Sequence, residues 1–380
     1  DGRLAAQGLC FGLSALAADW LAQRLRWAEL RLPALALLPL LYLLLPLAAY
    51  SLHRPLEGFS WIGWAAGLGV QLLLLWRYDR RAAQSQDEPA GQSPGERADP
   101  GRGATAADGL RLTHSAVLWL VSILVAWELA WWLGQPPGFA DTWSRIAWGL
   151  VPAGTVLALS RLGHRLGWPV SAHRAAYLGD GLVPLALALW AWVLGACLLL
   201  RGDSAPLGFV PLLNPLDIAI GLALLALADW LAPRGRGAPG APGESAGARG
   251  WRWPQAPWAL GLTLLVWLTS AWLRTAHHWL GLPFRADALL GSQTAQAGLS
   301  VLWALAALAT MLIGHRLAKR PAWLAGAGLM ALVVLKLFLV DLSASGTLAR
   351  IVSFISVGML LLAVGWLAPL PPKGEGEGRS

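Results

Sequence analysis

L-P-A-L-A-L-L-P-L-L-Y-L-L-L-P-L, residues 32–47, decides the fold class. A strand of a transmembrane β-barrel alternates lipid-facing apolar positions with lumen-facing polar ones, and this run has no such alternation. Extended to residue 52, it holds about twenty apolar residues, enough to cross a hydrocarbon core about 30 Å thick at about 1.5 Å per helical residue. The stretch reads as a membrane-spanning helix.

The rest of the chain repeats the pattern. Hydrophobic residues make up 56% of the sequence and charged residues 13%, with a mean hydropathy of +0.54. A water-soluble domain carries roughly twice that share of charge, about 25%. Eleven spans are expected, near residues 4–21, 32–52, 59–77, 113–134, 145–162, 178–200, 214–232, 255–274, 297–315, 321–340 and 347–368. The predicted architecture is therefore all-α, a polytopic transmembrane helix bundle of about 11 spans. The lipid bilayer is its first partner.

The net charge of +8 has a local explanation that excludes nucleic acid as a partner. Connections 22–31, 77–112, 161–176, 233–254, 316–320 and 371–380 hold 21 of the 29 Lys and Arg residues. They are alternate connections, so the positive-inside rule puts them all in the cytoplasm, with the C-terminus inside and residue 1 outside. Two of these loops, 79–112 and 233–254, are rich in Gly, Ala, Pro, Ser and mixed charge and are expected to be flexible. The chain starts at Asp1, with no signal peptide before the first span, and is expected to be the C-terminal portion of a longer protein.

Self-similarity adds organisation within the single transmembrane region, 1–380. Pro33 and Pro184, P-L-E-G-F at 55 and P-L-G-F at 206, and G-H-R-L at 163 and at 314 all share an offset of 151 residues. W-L-G at 132 and at 279 adds an offset of 147. The expected units are about 33–168 and 184–320, with a partial third at 321–370. Four helices per unit, an even number, make it a parallel repeat.

A charge at a span centre costs about 2.5–3.5 kcal/mol, so polar residues in or beside spans need a partner, water or a role. Glu128 lies one turn before Trp131 and Trp132 in the fourth span. It is either a proton-exchanging carboxylate or a hydrogen-bonded structural one. After the eighth span come His277, His278, Trp279, Arg285 and Asp287. The adjacent histidines lack the i, i+4 spacing of a helical metal pair, and no metal site is expected. Lys336, Asp341 and Arg350 bracket the last outer turn. Lys336 can snorkel, and Asp341 can bridge Arg350; alternatively, Arg350 recognises an anion with Asp341 orienting it. In N-P-L-D, Asn214 is read as the cap of span seven, with Asp217 reaching its free N–H groups. Asp19 and Asp229 are expected to bond neighbouring helices. Cys10 and Cys197, both within spans, read as small core residues. No phosphate-binding loop, dinucleotide fingerprint or nucleophile elbow is present, and no cofactor is expected.

K-L-F-L-V-D-L-S-A-S-G-T-L-A-R-I-V-S-F-I-S-V-G at 336–358, P-L-L-N-P-L-D at 211–217, the block 277–300 from H-H-W-L-G to A-G-L-S, and the closing W-L-A-P-L-P-P are similar to blocks, in the same order, of a bacterial family of large predicted membrane proteins, DUF2339. The resemblance implies an inner-membrane protein of many spans, often preceded by further helices, and brings no activity with it. The leading expectation is binding or transport of a polar, anionic envelope molecule, such as a lipid-linked glycan, at a periplasm-facing site. Arg285, Asp287, Asp341 and Arg350 with Trp131, Trp132 and Trp279 would bind it, while Glu128, His277 and His278 handle protons. The alternatives are a membrane-embedded glycan transferase or ligase, which needs a base at the outer face, and a scaffold, in which the charges pair off. Other membrane proteins are further candidate partners.

Overall fold

The computed structural model describes residues 2–25, 36–87, 100–232 and 255–338, with isolated positions near the C-terminus. These residues form eleven α-helices and no strand. In chain order they are α1 (Gly2–Arg24), α2 (Leu37–Ser51), α3 (Ser60–Asp87), α4 (Pro100–Gly134), α5 (Asp141–Leu162), α6 (Leu182–Leu199), α7 (Pro215–Leu231), α8 (Ala256–Leu280), α9 (Ala286–Gly291), α10 (Gln293–Arg316) and α11 (Arg320–Lys336). A π-helical turn, Ala175–Asp180, precedes α6.

Local chemistry sets the ends. Asn214 Oδ1 accepts from the Asp217 N–H at 3.0 Å and caps α7, as its sequence predicts. Ser292 caps α10 by accepting from the Ala295 N–H. α8 closes on Gly281 at φ +68, the left-handed geometry that a glycine stop provides. Asp141 in the first turn of α5 and Arg161 in the last complement the helix dipole.

Six segments are long and apolar enough to cross a membrane: Gly2–Arg24, Asp108–Gly134, Asp141–Arg165, Ala175–Leu199, Ala256–Leu280 and Gln293–Arg316. Each coincides with an expected span. Four more expected spans correspond to α2, α3, α7 and α11, of which α2, α7 and α11 have 15, 17 and 17 residues. The span at 347–368 falls almost wholly outside the described residues. Helix also enters the connection expected to be flexible, since α3 continues to Asp87 and α4 begins at Pro100. The run R-R-A-A-Q-S-Q is rich in good helix formers, so it can prolong the helix past the membrane.

By internal contacts the chain divides into two compact units. The first takes Asp1–Val193, Asp203–Leu207 and Ile218–Pro254; the second takes Leu194–Gly202, Gly208–Asp217 and Gln255–Ser380. In the first, α1 packs on α3 and α2 packs on α1, α3 and α4, around Leu37, Leu41, Trp64 and Leu120. The α1–α3 crossing is close because both faces are glycine. A Cβ on Gly8 would lie 2.6 Å from the Gly63 carbonyl oxygen, and one on Gly63 would lie 2.8 Å from that of Leu4. Small residues are how membrane helices, which gain nothing from hiding apolar surface in lipid, bring backbones into van der Waals contact. In the second unit α10 packs against α8 and α11, with Ala307, Met311 and Met330 at the centre of the α10–α11 seam.

Candidate functional site

In the first unit, Glu128 is joined by a residue that sequence reasoning did not single out. Arg54, in the turn between α2 and α3, reaches its Oε1 at 3.1 Å. The Leu56 N–H donates to Oε2 at 3.2 Å, and the Trp132 indole N–H to Oε1 at 3.0 Å. The Arg54 guanidinium also lies over the Trp131 ring, 4.2 Å from its centroid. Glu128 thus has hydrogen-bond partners on both oxygens, as the structural alternative for it requires. It sits in a cage of a cation, a backbone amide and an indole, which between them donate to its two oxygens.

A cavity of about 470 Å³ opens beside this cage. Its walls are Leu45, Pro46, Ala49, Leu52, His53, Ile123, Trp127 and Trp148. None of the anticipated site residues is among them, and the lining suits an acyl chain better than an anion.

In the second unit the two histidines are held by backbone. The His277 Nδ1 pairs with the Leu282 carbonyl oxygen at 2.6 Å and the His278 Nε2 with that of Arg201 at 3.2 Å. His278 also stacks on Phe209 with 4.1 Å between ring centroids. The Trp279 indole N–H donates to the Phe209 carbonyl at 3.4 Å. Arg285 and Asp287 pair with each other at 3.3 Å on the surface, with side chains 76% and 72% exposed. The Lys336 Nζ turns onto α10, donating to the Gln296 carbonyl at 3.1 Å and to the Ser300 hydroxyl at 2.7 Å. Asp341 and Arg350 lie outside the described residues.

Three clusters were not anticipated as sites. Arg274, on α8, is fully buried and paired with Asp217, itself without exposed side-chain surface, at 2.5 Å. The Asp217 carboxylate also accepts from the Trp267 indole N–H at 2.8 Å and from the Asn214 side-chain amide at 2.5 Å. Arg274 donates to Ser270, whose hydroxyl donates to the Cys197 carbonyl. Gly202, at φ +78, makes room for the arginine stem: a Cβ there would lie 2.8 Å from the Arg274 Cδ. Asp217, read as a helix-end residue, is thus also the counter-ion of a buried cation. The second cluster is Asp19, buried on α1, which binds Arg77 at 3.2 Å and Arg81 at 3.0 Å on α3.

The third gathers Asp79 of α3, His114 of α4, and Trp168, His173 and Tyr177 from the segment before α6. The His173 Nε2 and the Trp168 indole meet Asp79 Oδ2 at 2.9 and 2.8 Å. His114, fully buried, stacks on His173 at 3.9 Å and places its Nδ1 3.2 Å from the Tyr177 hydroxyl. The only sequence signal was the presence of polar residues near span ends; positions 79, 114 and 173 have no motif spacing.

Helical structure, six span-length apolar segments and buried charge pairs between helices all describe a membrane protein. The family model described as a predicted membrane protein, DUF2339, matches residues 5–371. The chain belongs to the DUF2339 family. No curated protein and no solved structure matches it. The DUF2339 match encloses all the clusters above, together with Asp341 and Arg350, so the polar residues of both units belong to the family region. The DUF2339 description, a predicted membrane protein, agrees with the apolar helices and attaches no reaction to the chain.

Proposed function

We propose that the chain is a multi-pass membrane scaffold, seated in a bacterial inner membrane with its C-terminus in the cytoplasm, whose intramembrane charges fasten helices together. The observation that carries this reading is the Asp217–Arg274 pair: both side chains have no exposed surface, and each is the other's counter-ion. A site that takes up a solute needs charged groups left open to it, and a buried arginine whose counter-ion is intramolecular offers little to an anion. Sidedness rests on the basic connections.

A second reading keeps the binding or moving of an anionic envelope molecule, such as a lipid-linked glycan phosphate. It is favoured by Arg54 under the Trp131 ring, a guanidinium and an aromatic face side by side, with the arginine 25% exposed.

The test is an apolar replacement of the pair, Asp217→Leu with Arg274→Met. A scaffold keeps membrane abundance and supports its host's envelope integrity as the parent does. Normal abundance with lost envelope integrity would show that the charges act on something other than the fold, and the scaffold reading would fall.

A further inference from the structure

We propose that Asp79, His114 and His173 form a binding site for one divalent transition-metal ion, Zn²⁺ foremost, between α3, α4 and the segment that leads into the π-helical turn. The potential ligand atoms of these three residues all lie within 4.8 Å of one another. An ion bound about 2.0–2.1 Å from each would draw the farthest pair together by about 1.5 Å, within reach of side-chain rotation. Two imidazoles and one carboxylate are a donor set that zinc and ferrous iron accept, leaving coordination positions open to water or a substrate.

The donor chemistry points the same way. His114 is completely buried, yet its Nε2 meets no hydrogen-bond partner among the described residues. A buried imidazole nitrogen in that condition costs free energy unless something supplies a bond, and a metal ion does so. The opposite nitrogen, Nδ1, sits at the Tyr177 hydroxyl. That hydroxyl can accept from Nδ1, and in this tautomer the lone pair lies on Nε2, the arrangement that the outer shell of metal sites commonly supports. Trp168 plays the corresponding part for the carboxylate, donating to Asp79 Oδ2. The His173 Nε2 and Asp79 Oδ2 lie 2.9 Å apart, so both donor atoms already face the same point. Asp79 and His173 are each 16% exposed, so the site is enclosed but reachable. Tyr177, which meets His114, lies in a π-helical turn, a geometry that recurs at functional sites.

The experiment uses the untagged full chain in detergent micelles, stripped with chelator and titrated with Zn²⁺, then with Co²⁺. The expected result is one Zn²⁺ per chain and a visible Co²⁺ absorption typical of nitrogen and oxygen ligands. His114→Gln, His173→Gln and Asp79→Asn should each weaken binding more than about tenfold, and Tyr177→Phe, a positioning change, by about tenfold. His277→Gln with His278→Gln should leave it intact. Unchanged affinity in His114→Gln/His173→Gln, or loss confined to the His277/His278 variant, overturns the proposal. Should the site variants not fold, the parent decides: no stoichiometric Zn²⁺ uptake and no Co²⁺ absorption refutes the site.

Discussion

At the scale of single residues, the cost of burying charge governs what can be changed. Removing one partner of a buried ion pair leaves the other uncompensated, at about 3–5 kcal/mol, whereas replacing both with apolar side chains of similar size is near neutral. Arg274→Met alone should therefore lower unfolding stability in detergent by about 3–5 kcal/mol, and adding Asp217→Leu should restore most of it. A double variant as unstable as the single would refute this account. The turn before α3 has a different sensitivity. The His53 N–H donates to the Glu57 carboxylate at 2.8 Å and holds that carboxyl below its ordinary range. A lowered pKa means that the stabilisation is present above the ordinary carboxylate range and disappears as pH falls through the folded value. Protection of the His53 amide from hydrogen exchange, measured against the intrinsic rate at each pH, should fall on acidification, an effect that Glu57→Gln removes. The Asn214 cap was legible because capping is local. The Asp217–Arg274 pair was not, because its members are 57 residues apart and a sequence says only that a buried arginine needs a partner.

At the scale of elements, apolar run length made the helices legible, and glycine placement made their approach specific. Gly8 and Gly12 of α1, and Gly63 and Gly67 of α3, each recur at four-residue spacing on one helical face. Gly8→Leu must push the Gly63 backbone away and should cost about 1–3 kcal/mol as overpacking, read from thermal unfolding in micelles. Gly69→Ala, which meets nothing within 4 Å, should leave stability unchanged or slightly raised. Equal effects of the two would deny that the crossing depends on close backbone contact. The extent of α3 was underestimated at its end, because hydropathy marks where a helix leaves the lipid and says nothing of where it stops.

At the scale of the whole molecule, the basic connections predict topology: reporter fusions after Arg81, Arg165 and Arg316 should all report the cytoplasmic side, and a fusion after Phe59 the opposite one. A periplasmic signal at Arg165 would overturn the orientation. By itself the sequence determined that this chain is a helical membrane protein, because about twenty consecutive apolar side chains have no other stable home than lipid and no other backbone than one that satisfies its own hydrogen bonds. Only the tertiary structure decided which polar residues meet. Glu128 found Arg54, Asp217 found Arg274, and Asp79 found His114 and His173, each across segments distant in the chain. The physical reason is range: periodicity and capping act within one or two helical turns, whereas a charge in a low-dielectric interior is stabilised by whichever counter-charge or donor packing brings within about 3 Å, and packing is a property of the folded whole.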